Sequence, residues 1–136
     1  MKFVEVNENV DVIISMIENA EEYVVIVSPY SNLAGWDNLI FAINKASNRN
    51  VKVGYYVRED DGDIGLEGIN VNLFEVPKLH AKIFYSEKDT LISSGNLWSK
   101  TDINWVCILD TQEEIDDIHS FFETKIKPIA ISYKNK

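Results

Sequence analysis

Leu79-His80-Ala81-Lys82-Ile83-Phe84-Tyr85-Ser86, followed by Thr90-Leu91-Ile92-Ser93-Ser94-Gly95-Asn96, is the stretch whose reading decides the fold. Both pieces are short, apolar and rich in β-formers. Glu87-Lys88-Asp89 separates them, so the pattern predicts strands over 80–86 and 90–93 joined as a hairpin. Residues two apart on a strand share a face. His80 and Lys82 are therefore expected to project together, with Ala81 and Ile83 facing the other way. Two basic groups side by side on an apolar strand call for an anion or a carboxylate, because a cation without a partner there is costly. The second strand runs into Ser93-Ser94-Gly95-Asn96. Hydroxyls, an amide and backbone N–H donors gathered this way suit phosphate oxygens.

Toward the N-terminus, Val10, Ile13, Ile14 and Ile17 mark one face of a helix, with Asn7 as its expected N-cap. Tyr23-Val24-Val25-Ile26-Val27 reads as a buried strand ended by Ser28-Pro29-Tyr30. Trp36, Leu39, Ile40 and Ile43 mark a second helix, broken at Asn48-Arg49-Asn50, and 51–57 and 69–76 are further strands. Toward the C-terminus, 104–109 is a last strand. Thr111 and Glu114 form a capping-box pattern ahead of a helix carrying Ile115, Ile118, His119 and Phe122. This order predicts a single α/β domain over 1–136, a mixed β-sheet flanked by helices on both faces.

His80-x-Lys82, then Glu87, then Ser93-Ser94-x-Asn96 resembles the phospholipase D superfamily signature, H-x-K-x4-D-x6-G-S-x-N. Ser28-Pro29-Tyr30 and Ile92-Ser93-Ser94-Gly95-Asn96-Leu97-Trp98 are similar to small bacterial members with one copy of the motif. The resemblance implies a phospholipase D-like half-unit that dimerises. It also implies a metal-independent phosphodiesterase, nuclease-like, working through a phosphohistidine at the homodimer interface. On that footing His80 is nucleophile or general acid/base, Lys82 and Asn96 clamp phosphate oxygens, and Ser94 is a supporting donor. Glu87, Asp89 and Ser93 would support the motif. The resemblance implies no metal and no cofactor. The chemistry is reasonable, since imidazole titrates near neutral pH and a lysine charge stabilises the transition-state oxygens.

The chain departs from the signature in three places. Glu87 stands for Asp, with the following spacer one residue short, so Asp89 is the alternative. Ser93 stands for Gly. The glutamate that many relatives carry after the Asn has no counterpart in Asn104-Trp105-Val106-Cys107-Ile108. An imidazole without its orienting partner is a poorer nucleophile. A second reading is therefore a weak or inactive dimer that binds nucleic acid or another phosphodiester ligand. A third is an assembly subunit that keeps only the fold.

Composition bounds these readings. The 136 residues carry a net charge of −9, which argues against loose binding to DNA or acidic membranes. Lys78, Lys82, Lys88 and Lys100 nevertheless make the suspected site locally basic. No stretch is long and apolar enough to span a membrane, and the first residues lack a signal-peptide layout, so a cytoplasmic protein is expected. Cys107, the single cysteine, lies in an apolar run and reads as a buried thiol. Glu59-Asp60-Asp61-Gly62-Asp63 lacks calcium-loop spacing and reads as a solvated loop. His119, on an apolar helix face, reads as structural. Ser28 has no base to activate it. Trp98 and Tyr30 fit either a cleft wall that stacks on a base or the core.

Overall fold

Apolar runs alternate with amphipathic ones along the chain, and each becomes an element of a computed structural model that describes residues 1–60, 65–98 and 102–133. In chain order these are β1 (Lys2–Phe3), α1 (Asn9–Asn19), β2 (Tyr23–Val27), α2 (Asp37–Asn48), β3 (Lys52–Arg58), β4 (Asn72–Val76), β5 (Ile83–Ser86), β6 (Thr90–Ser93), β7 (Val106–Leu109), α3 (Gln112–Phe121) and β8 (Ile131–Ser132). The strands form one mixed sheet in the order β1-β7-β6-β5-β2-β3-β4-β8. β2, β3 and β4 run parallel, whereas β5, β6 and β7 alternate in direction.

Helices cover both faces, as the sequence predicts. On one, Ile13 and Ile17 of α1 and Leu39 and Ile43 of α2 pack with Val24, Ile26, Val53, Tyr55 and Phe84. On the other, α3 continues into a wider turn, Phe122–Ile126, which packs on Val27, Tyr56, Val76, Ile83 and Tyr85. Burial on both faces explains why β2 reads as an unbroken apolar run. Among the described residues no helix is long and apolar enough to cross a membrane.

Several boundaries differ from the sequence expectation. β5 begins at Ile83 rather than His80, because its neighbour β2 ends at Val27, opposite Ile83. Extended alternation still reaches further back. Leu79, Ala81 and Ile83 share the cluster under α3, which leaves His80 and Lys82 on the opposite side. β7 begins at Val106 because the N–H groups of Asn104 and Trp105 donate to Ser94 Oγ instead of a ladder. β4 begins at Asn72, where its pairing with β3 starts. Asn7 is not a cap: it lies in a 3₁₀ turn, Val6–Glu8, ahead of α1. Thr111 caps α3 as expected, accepting from Glu114 N at 3.2 Å. The acidic loop falls partly on 61–64, outside the described residues, as does Lys100.

Candidate phosphodiester site

The parallel strands β2, β3 and β4 place their carboxyl ends along one edge of the sheet. β5 starts at that edge and β6 finishes there. In open α/β sheets, ligand crevices form outside such ends. Ser28–Tyr30, Arg58, Leu79–Lys82, Ser93–Asn96 and Asn104–Trp105 are gathered there.

Hydrogen bonds fix the relative positions of these segments. Ser93 N donates to Lys82 O at 3.2 Å, so the two halves of the motif are adjacent. The next residues cross from β6 toward β2. Tyr30 N donates to Asn96 Oδ1 at 3.1 Å, and Leu97 N donates to Ser28 Oγ at 2.8 Å. The first bond orients the Asn96 amide and leaves its nitrogen as a donor. Ser94 Oγ accepts from Asn104 N at 2.9 Å and from Trp105 N at 3.0 Å. Both acceptor positions are thereby filled, and the hydroxyl proton remains to donate. Ser93 Oγ faces inward, donating to Gly95 O at 2.9 Å and accepting from Gly95 N at 3.1 Å. Gly95 is required by space: a Cβ there would lie 2.3 Å from Asp102 O.

The floor beneath this turn is buried and polar. Tyr55 Oη donates to Ser31 Oγ at 2.7 Å, and Ser31 Oγ donates to Ser28 O at 3.0 Å. Burial pushes the Tyr55 phenol well above its ordinary range, so it stays protonated and donating. Ser28 is fully buried and its hydroxyl donates to Tyr30 O, so it props the loop and is no nucleophile.

His80 is exposed and Lys82 half-buried. The carbonyl just before them is held by a residue that sequence reasoning missed. Arg58 Nη1 donates to Leu79 O at 3.0 Å, and Arg58 N donates to Pro29 O at 2.9 Å. A cation closing an apolar strand was its only signal. Lys78 enters the segment at φ 56°, a left-handed turn that side chains adopt at a cost. Asp102 was missed too; its Oδ2 accepts from Asn96 N at 2.8 Å.

Glu87 and Asp89 lie at the other edge of the sheet, five and seven residues beyond Lys82. Glu87 accepts from Glu21 N (2.8 Å), Glu22 N (3.1 Å) and Tyr23 N (3.2 Å), clamping the hairpin to the start of β2. Partial desolvation pulls its pKa up, but the three N–H donors outweigh this and hold the carboxyl below its ordinary range. Asp89 sits in the hairpin turn, its N–H donating to Ser86 Oγ at 3.2 Å. Lys88 pairs with Glu21 at that edge. Of the lysines that make the sequence locally basic, Lys78 and Lys82 belong to the site edge, where Arg58 joins them.

Cys107 and His119, also singled out from sequence, are packing residues. Cys107 is fully buried, and burial raises its thiol pKa. His119 stacks on Tyr85 with ring centroids 4.1 Å apart, and its Nε2 lies 3.0 Å from Thr90 Oγ1. Burial lowers the pKa of this ring.

No family model and no curated protein sequence matches the chain. Solved structures do. NucT from Helicobacter pylori superposes with a TM-score of 0.77 at 19% identity, covering 97% of this chain and 100% of that one. Nuc from Salmonella typhimurium, a phospholipase D family member, gives 0.72 at 14% identity over 92% of this chain and 90% of that one. TrmBL2, an archaeal chromatin protein whose structure shows a novel mode of DNA binding, gives 0.69 at 12% identity, matching 97% of this chain to 52% of its own. Together with the mixed sheet and its helices, these likenesses show that the chain has the fold of the phospholipase D superfamily.

Proposed function

We propose that this chain is a phosphodiesterase acting on nucleic acid, working without a metal through a phosphohistidine at an interface between two copies. The observation that carries the proposal is the meeting of the His80–Lys82 segment with the Ser93–Asn96 turn, joined by the Ser93 N to Lys82 O bond. A neutral His80 ring attacks phosphorus, and a P–N bond forms as the P–O bond to the leaving group breaks. The protonated His80 of the second copy gives its proton to the leaving oxygen. That ring then takes a proton from water, whose oxygen displaces His80 and restores both imidazoles. Lys82, Asn96 and the Ser94 hydroxyl hold the non-bridging oxygens. One chain supplies one such histidine, so the cleft is complete only in an isologous dimer.

The test is hydrolysis of DNA and of a bis-aryl phosphodiester in the presence of EDTA. His80→Ala is expected to cost at least roughly a thousandfold. Turnover that needs a divalent metal, or that survives His80→Ala, overturns the mechanism. A strictly monomeric protein by light scattering removes the second histidine. The absence of a glutamate from Asn104–Ile108 favours a second reading, a dimer that holds a phosphodiester without cleaving it. That reading predicts binding that strengthens at low salt and weakens in Lys82→Ala, with no product formed.

A further inference from the structure

The amino ends of β2, β3 and β4 carry a groove on the α3 face, at the other end of the sheet from His80 and Lys82 and on the opposite face. Val25 pairs with Tyr85 on one side and with Gly54 on the other, and Gly54 pairs with Asn72. Val25 and Gly54 belong to middle strands, yet both are only half-buried. α3 and the turn Phe122–Ile126 cover the strands further along and leave a cavity of about 610 Å³ here. Aromatic rings wall it. His119 stacks on Tyr85, Tyr23 meets Tyr85 edge to face at 6.0 Å, and Tyr56 meets Phe122 the same way at 4.9 Å. Gly54 makes the floor: a Cβ there would sit 3.2 Å from the Tyr56 ring and 3.5 Å from its Oη. The Phe122–Ile126 turn is π-helical, a rare form that recurs at functional sites.

We infer that this groove is a binding site for a small organic cation, a primary ammonium group carried on an apolar or aromatic body. The inference is independent of the phosphodiesterase reading. Tyr56 and Tyr85 are 6% and 3% exposed, and with Tyr23 they line the groove. Among the described residues, none of these three hydroxyls has a hydrogen-bond partner. A buried phenol ordinarily finds one, so these oxygens are open to the N–H donors of a ligand. Burial raises all three phenol pKa values and lowers that of His119, so the phenols stay protonated and the imidazole stays neutral near pH 7. The rim carries Glu123, Lys52 and Lys127, and Glu123 pairs with Lys127 at 3.5 Å, both side chains more than half exposed. Beyond burial, the Glu123 carboxylate acts on all four of these groups and neither lysine does. The field inside the groove is therefore that of a carboxylate. Aromatic faces attract cations in addition.

The experiment is calorimetric titration with phenethylammonium, its uncharged analogue phenethyl alcohol and the anion phenylacetate. Phenethylammonium is expected to bind at least about tenfold tighter than the alcohol, with phenylacetate weakest. Glu123→Gln changes an exposed side chain and leaves the packing intact. It is expected to weaken the cation about fivefold and to leave the alcohol within about twofold. Tyr56→Phe with Tyr85→Phe keeps both rings and removes their hydroxyls. It is expected to weaken phenethylammonium about fivefold and to spare its N-trimethyl counterpart, which has no N–H to donate. Nuclear Overhauser contacts from the ligand methylenes to the Tyr85 and Phe122 rings locate the bound cation. Equal affinity for the alcohol, tighter binding of phenylacetate or an unchanged affinity in Glu123→Gln overturns the inference. So do equal losses of the two ammonium compounds in the phenylalanine variant, Overhauser contacts that fall elsewhere, or no saturable binding in the millimolar range.

Discussion

Gly95 has the tightest constraint of any residue at the candidate site. Its missing Cβ lets the Ser94–Asn96 turn lie against the backbone of Asp102 and Ile103. Gly95→Ala is expected to force that backbone apart and displace Asn96, costing about 1–3 kcal/mol. Phosphodiester affinity should fall further than the loss of folded protein explains, as binding corrected by circular dichroism will show. Arg58 makes a comparable demand from the other side. Arg58→Gln should loosen the Leu79 carbonyl it holds, lowering kcat on a bis-aryl phosphodiester more than it raises KM. A lysine at this position is expected to rescue only partly, because it lacks the guanidinium fork.

At the scale of elements, the β5–β6 hairpin separates two tasks by its two ends. The His80 end faces the candidate ligand edge, and the Glu87 end anchors to β2 through three backbone N–H groups. Glu87→Gln is expected to lower stability by about 1 kcal/mol, allowing for partial solvent access, with turnover per folded molecule unchanged. Chemical denaturation followed by titration of active protein tests both halves of that statement. Because the folded-state pKa of Glu87 is depressed, its contribution is complete above the ordinary carboxyl value of 4.5 and is lost as pH falls below it.

For the molecule as a whole, pH acts through His119 as well. Its folded pKa is lowered by burial from the ordinary 6.5, so the unfolded chain takes up a proton more readily. Stability should fall as pH drops below about 6.5, and His119→Gln should flatten that slope in urea titrations between pH 7.5 and 5.5. The central elements were legible because burial leaves a period in the sequence. The unbroken apolar run of β2 and the 3.6-residue face of α1 are direct records of what covers them. The edge strands β1 and β8 were not legible, since two residues each carry no period. At the candidate site, the adjacency of the His80–Lys82 and Ser93–Asn96 segments was readable because one hairpin joins them. Arg58 and Asp102 were not, because their partners lie across the sheet or on backbone atoms, where side-chain type gives no hint.

The distant turn of that hairpin also offers a handle. Lys88 is exposed there, six residues and roughly 20 Å along the strand from Lys82. A dye or resin linker joined to its amine would give up one surface ion pair with Glu21 and leave the candidate edge uncovered, so the protein could be immobilised with that edge outward.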